Sequence, residues 1–237
     1  MNRYEIETPI WQALLGRVLA DYMVGKGFDL APEALYIPEN ESGSVHQLLN
    51  GGDTSPGTQS STTTKVAQPA VQIREEMEAV ILTRRRDQPD FFPADGLDYL
   101  SRHNLLLFNP QPLEPAYLHQ MTDCFWSYAR FPEGKVRPSR PAFMIISPFA
   151  TQKLGEMSNL KPIMPGVYEY NDLLSHFMVL IIDQLLDIPE NLLWFLFSFN
   201  EEKVTRALNQ YVPNRPEGKL NLPTLAELYT KIGLLKP

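Results

Sequence analysis

Ser101-Arg102-His103-Asn104-Leu105-Leu106-Leu107-Phe108-Asn109-Pro110 is the stretch whose reading decides the fold. Its apolar run, closed by a proline, predicts a strand over Asn104 to Phe108. Residues two apart in a strand share a face, so Leu107 and Asn109 project together. A carboxylate and a lysine at that spacing can jointly hold a divalent cation and orient an attacking water. Leu107 offers no oxygen ligand, and the Asn109 amide carries no charge.

Working outward from this strand, helices and strands alternate. Upstream, Trp11, Leu14, Leu15, Val18, Leu19 and Tyr22 recur at helical spacing, with Thr8 and Pro9 at the approach and Gly25 and Gly27 at the exit. Ala34 to Pro38 and Met77 to Leu82 predict strands. Between them, residues 41–69 change abruptly to a Gly, Ser and Thr-rich composition that cannot offset its ordering entropy, predicting a flexible low-complexity insertion. Downstream, Leu118, Met121, Phe125 and Tyr128 mark a crossover helix over Glu114 to Tyr128. Ala142 to Ser147 predicts a strand, Phe149 to Met157 a short helix, and Pro165-Gly166 a turn into a strand ending at Tyr170. The branched residues of Met178 to Ile182 suit a sheet interior. Helices are expected over Pro189 to Phe197, Glu201 to Tyr211 and Pro223 to Ile232, with 213–237 as a C-terminal extension docking on the core. The sum is a single layered α/β domain over 1–237.

Three local matches, in order, make the chain resemble the PD-(D/E)XK nuclease superfamily, in particular the transposase-like and recombination-promoting nucleases of mobile elements. Met77 to Leu82 is similar to that family's I-D-V-L-I-I strand, and Arg102 to Pro110 to its R-x-H-N-I-I-E-Y-K-S strand. Pro141 to Ser147 with Pro165 to Tyr168 resembles its P-x-x-L-I-I-S and P-G-V-Y stretches. With the framing helices the likeness covers roughly residues 10 to 200. It implies a restriction-endonuclease-like three-layer core, a small mixed sheet flanked by helices. It also implies a site in which Glu78 stands at the first metal-binding aspartate, Leu107 at the next acid and Asn109 at the lysine. The catalytic motif is therefore degenerate, and the reading is of a nonenzymatic binding or assembly protein that needs no cofactor and engages a protein partner.

Two alternatives keep nucleic acid in view. A Mg²⁺-dependent DNA nuclease with a migrated site would join Glu78 to Glu76, Asp87 or Glu114, with Arg84 or Lys135 replacing the lost lysine. A noncatalytic nucleic-acid-binding protein would use Arg84, Arg85 and Arg86, extended by Lys135, Arg137 and Arg140 if the fold gathers them. A solvated strand end explains the arginines more simply. His103 lacks an acid partner in sequence, and His46, His119 and His176 form no ligand motif.

Composition narrows the field. A formal net charge of −7 repels a phosphate backbone at long range. Cys124 is the only cysteine, which excludes an intramolecular disulfide or a thiolate-rich metal cluster and favours the cytoplasm. Met1 to Glu7 lacks the apolar core of a signal peptide. The longest apolar runs, Leu192 to Phe197 and Met178 to Ile182, fall far short of the roughly 20 residues a membrane span needs. No phosphate loop, nucleophile elbow or H-E-x-x-H helix is present. Aromatic residues, including Phe125, Trp126, Tyr128, Trp194, Phe195 and Phe197, either anchor a partner or, for most of them, fill the core.

Overall fold

The computed structural model describes residues 8–24, 26, 28–34, 78–84, 94–101, 103–130, 142–172 and 175–236. The predicted insertion over 41–69 lies outside the described residues. The first helix, α1 (Thr8–Tyr22), forms where the apolar spacing predicts it. Trp11, Leu14, Leu15, Val18 and Leu19 are all buried, giving it one continuous inward stripe. Three strands follow, β1 (Phe28–Ala34), β2 (Glu78–Arg84) and β3 (His103–Phe108), and then the crossover helix α2 (Pro115–Arg130). Four more strands are β4 (Ala142–Ser147), β5 (Leu160–Met164), β6 (Val167–Asn171) and β7 (His176–Ile181). The chain closes with α3 (Leu192–Phe195), α4 (Glu201–Gln210) and α5 (Asn221–Lys231).

All seven strands join one mixed sheet in the order β1-β2-β3-β4-β7-β6-β5. The central strands β3, β4 and β7 are mutually parallel, and antiparallel neighbours extend the sheet on both sides. Side chains alternate across it. Leu106, Phe108, Met144, Ile146 and Leu180 pack with α1, α3, α4 and α5 on one face. Leu105, Leu107, Ile145 and Val179 pack with Leu118 and Met121 of α2 on the other. A parallel centre needs cover on both faces, and the helices supply it, making a three-layer α/β structure.

The sequence does not predict the first strand, β1, which runs over Phe28–Ala34 and pairs residue for residue with β2. Of the strand predicted over Ala34 to Pro38, only Ala34 is among the described residues, where it ends β1; residues 35–38 lie outside them. Pro32 within it is tolerated because β1 is an edge strand. The opposite edge, β5, also carries a mid-strand proline, Pro162, and sequence patterning misses it for that reason. The short helix expected over Phe149 to Met157 shrinks to a 3-10 turn at Gln152–Glu156. Gly166 turns β5 into β6 with φ 78°, and a Cβ there would lie 2.7 Å from the Leu185 amide nitrogen, so only glycine fits.

Candidate functional site

The carboxyl end of β3, where the sequence places the degenerate motif, is a closed structural knot. Leu107 is only 2% exposed and lies in the apolar layer under α2. Asn109 is 5% exposed and its amide is used at both ends. Its Nδ2 donates to the Gln111 carbonyl at 3.1 Å, and its Oδ1 accepts from the Gln111 amide at 3.2 Å. The Asn109 backbone amide donates to the Ile146 carbonyl at 2.8 Å, tying the turn to β4. Ser147 at the end of β4 donates its hydroxyl towards the Gln111 and Phe149 carbonyls, both at 3.0 Å. The polar groups here satisfy one another.

Gln12 of α1 completes the knot. The β2–β3 ladder runs from the Thr83–His103 pair to the Val80–Leu106 pair, whereas β2 continues beside β1 down to Glu78. Past that point Gln12 serves as a substitute strand: Nε2 donates to the Leu106 carbonyl at 3.2 Å, and Oε1 accepts from the Phe108 amide at 2.6 Å. Gln12 is 1% exposed. A buried side-chain amide that offers both a donor and an acceptor is what an interrupted ladder requires.

Strand register sets the backbone position of Glu78 at the opposite parity to Leu107. Directly opposed residues of an antiparallel pair share a face. Val80 opposes Leu106, so Glu78, two residues away in the same strand, takes the parity of Leu106 and Phe108 rather than that of Leu107. The side chains of Glu78 and Arg84 lie outside the described residues, as do residues Glu76, Arg85, Arg86, Asp87, Arg102, Lys135, Arg137 and Arg140. His103 opens β3 opposite Thr83, one residue before Arg84, at the end of the strand remote from Leu107. Glu114 is exposed just before α2. Asn104 is 1% exposed and serves the fold, because its Nδ2 donates to the Ser101 carbonyl at 2.6 Å and closes the turn that launches β3. Among the described residues no three His, Cys, Asp or Glu side chains gather to hold a metal.

No protein-family model matches this chain, nor does any curated protein or solved structure. Its chemistry must be read from its own geometry.

A second polar cluster lies beyond the end of β7. The Ser198 hydroxyl donates to Asp183 Oδ1 and accepts from the Asn200 amide at 2.9 Å, and Asn200 caps α4 by accepting from the Lys203 amide at 3.1 Å. Lys203 Nζ donates to the Asp183 and Leu185 carbonyls at 2.8 and 3.3 Å. Burial pushes the Asp183 carboxyl above its ordinary range, opposed by the Ser198 hydrogen bond and the Lys203 charge. Burial likewise pulls the Lys203 ammonium down, against the Asp183 charge. Ser198 is fully buried and Asp183 and Lys203 are half-buried, and their bonds link the end of β7 to the start of α4.

The amino ends of β4 and β7 frame an open cleft of about 350 Å³. Phe143, Phe177 and Met178 form its floor, and Tyr99, Ile163 and Glu169 stand on its walls. Glu169 Oε1 is 2.6 Å from His176 Nε2 across the β6–β7 hairpin. Sequence patterning treats His176 as isolated because the pairing partner is seven residues away. Recognising the hairpin around Asp172 to Ser175 would have brought the two together as diagonal neighbours. Trp194, Phe195 and Phe197 are fully buried and serve the core; the side chains of Phe125, Trp126 and Tyr128 lie outside the described residues.

Proposed function

We propose that this chain is a noncatalytic binding or assembly protein built on a nuclease-like α/β scaffold. One observation carries the reading: Leu107 is sealed beneath α2 while the Asn109 amide is spent on Gln111. Phosphodiester cleavage by the family mechanism needs a charged ligand set facing a phosphate and a water. Here an apolar side chain and a self-satisfied turn stand at the two positions, and Glu78 falls on the opposite strand parity. The scaffold part of the proposal draws support from the element order, with α1 preceding the sheet and α2 crossing between the parallel strands β3 and β4.

The test uses the full chain with single- and double-stranded DNA in Mg²⁺ or Mn²⁺. No cutting is expected with either metal. Cutting that disappears in Glu78→Ala would overturn the proposal.

A further inference from the structure

We propose that the cleft at the amino ends of β4 and β7 binds a free planar heteroaromatic ring that presents N–H donors along one edge, of the size and kind of an aminopurine base. The inference is independent of whether the chain has lost cleavage, because the cleft lies at the opposite end of β3 from Leu107 and Asn109.

Size comes first. A volume of about 350 Å³ is at the small end of ligand sites and suits one or two fused rings. Shape and surface follow. Only a few described large hydrophobics remain exposed, and two of them, Tyr99 and Ile163, stand over this cleft at 37% and 41% exposure. Exposed apolar groups that converge on a concavity mark a binding surface more strongly than scattered ones. The Tyr99 ring offers a face for stacking, while the edge-to-face pair Phe143–Phe177, with centroids 5.5 Å apart, makes a rigid floor.

Polarity then selects the ligand. Glu169 supplies a carboxylate acceptor that also meets His176 at the cleft rim, and a carboxylate recognises paired N–H groups. Among the described residues that line the cleft, the charge-bearing side chains are Glu169 and His176. Lys161 opposes Glu169 in the β5–β6 ladder and lies outside the lining. The −7 net charge favours a free base or nucleoside over a base held in a nucleic-acid strand.

The probe is 2-aminopurine riboside, whose fluorescence reports stacking, with purine riboside as the analogue that lacks the exocyclic amine. The full chain is expected to quench the probe with a dissociation constant on the order of 1 mM, as befits a small ligand in an open site. Glu169→Gln, which keeps the side-chain shape, is expected to weaken binding about tenfold, and purine riboside to compete about tenfold more weakly than the probe. Tyr99→Ala is expected to abolish quenching, and circular dichroism of each variant reports whether it has folded. No quenching at concentrations up to about 10 mM, equal affinity for the two ribosides, or unchanged binding by a folded Glu169→Gln would each overturn the proposal. Tighter binding of the same base within a single-stranded oligonucleotide would overturn its assignment to a free ligand.

Discussion

At residue 107, a carboxylate would have to sit among Leu105, Leu118, Met121 and Ile145. Leu107→Glu is therefore expected to cost several kcal/mol, about 3 to 5, through an unpaired buried charge, and Mg²⁺ should not restore the loss. Denaturant unfolding with and without the metal measures both effects; recovery by Mg²⁺ would show that the position faces an ion site after all. Asp183 gives a pH-dependent counterpart. Its folded carboxyl holds a proton more tightly than the ordinary value of 3.8, chiefly because it is buried. Its contribution to stability is thus fully present below the unfolded pKa and is lost as pH rises through the folded one. Asp183→Asn removes that ionisation while keeping an oxygen for Ser198. The variant should gain stability over wild type near neutral pH, and the gain should shrink towards about pH 4; urea midpoints across that range decide the matter.

Among the elements, the segment after α4 is tied to the end of α1 through Asp21 and Asn214. Asp21 at the end of α1 accepts from the Asn214 and Arg215 amides at 2.8 and 2.7 Å, and the Asn214 side chain returns a bond to the Asp21 carbonyl at 3.0 Å. Gly218 passes so close that a Cβ would lie 2.7 Å from the Asp21 carboxyl. Asp21→Ala is expected to cost about 1 to 3 kcal/mol by orphaning two amide donors, and to speed proteolysis and hydrogen exchange near residues 212–220 before the core opens. Such long-range ties were not legible in the sequence, whereas the elements they join largely were. The α1 stripe and the β3, β4 and β7 runs declare themselves because burial on a periodic face writes a periodic pattern. β1 and β5 stayed hidden because edge strands tolerate prolines and polar residues, which erase that pattern. At the degenerate motif, residue types revealed what chemistry is missing. The role of Gln12 as a substitute strand did not show, since nothing in a helix sequence announces that its amide will meet a ladder ninety-odd residues away.

At the scale of the whole sheet, the two outer strands among the described residues are each interrupted near the middle by an imino acid, Pro32 in β1 and Pro162 in β5. Proline cannot donate a backbone hydrogen bond, so a second molecule approaching either edge meets a broken row of donors. In β5 the irregular register between Pro162 and Met164 bends the row further. Pro162→Thr is expected to leave the fold intact yet raise concentration-dependent association, visible as growth in light scattering over hours; unchanged scattering would deny the edge its part. The consequence concerns crowding more than folding. Two such interruptions are expected to keep the sheet of one copy from continuing into the sheet of the next when the chain is made in quantity.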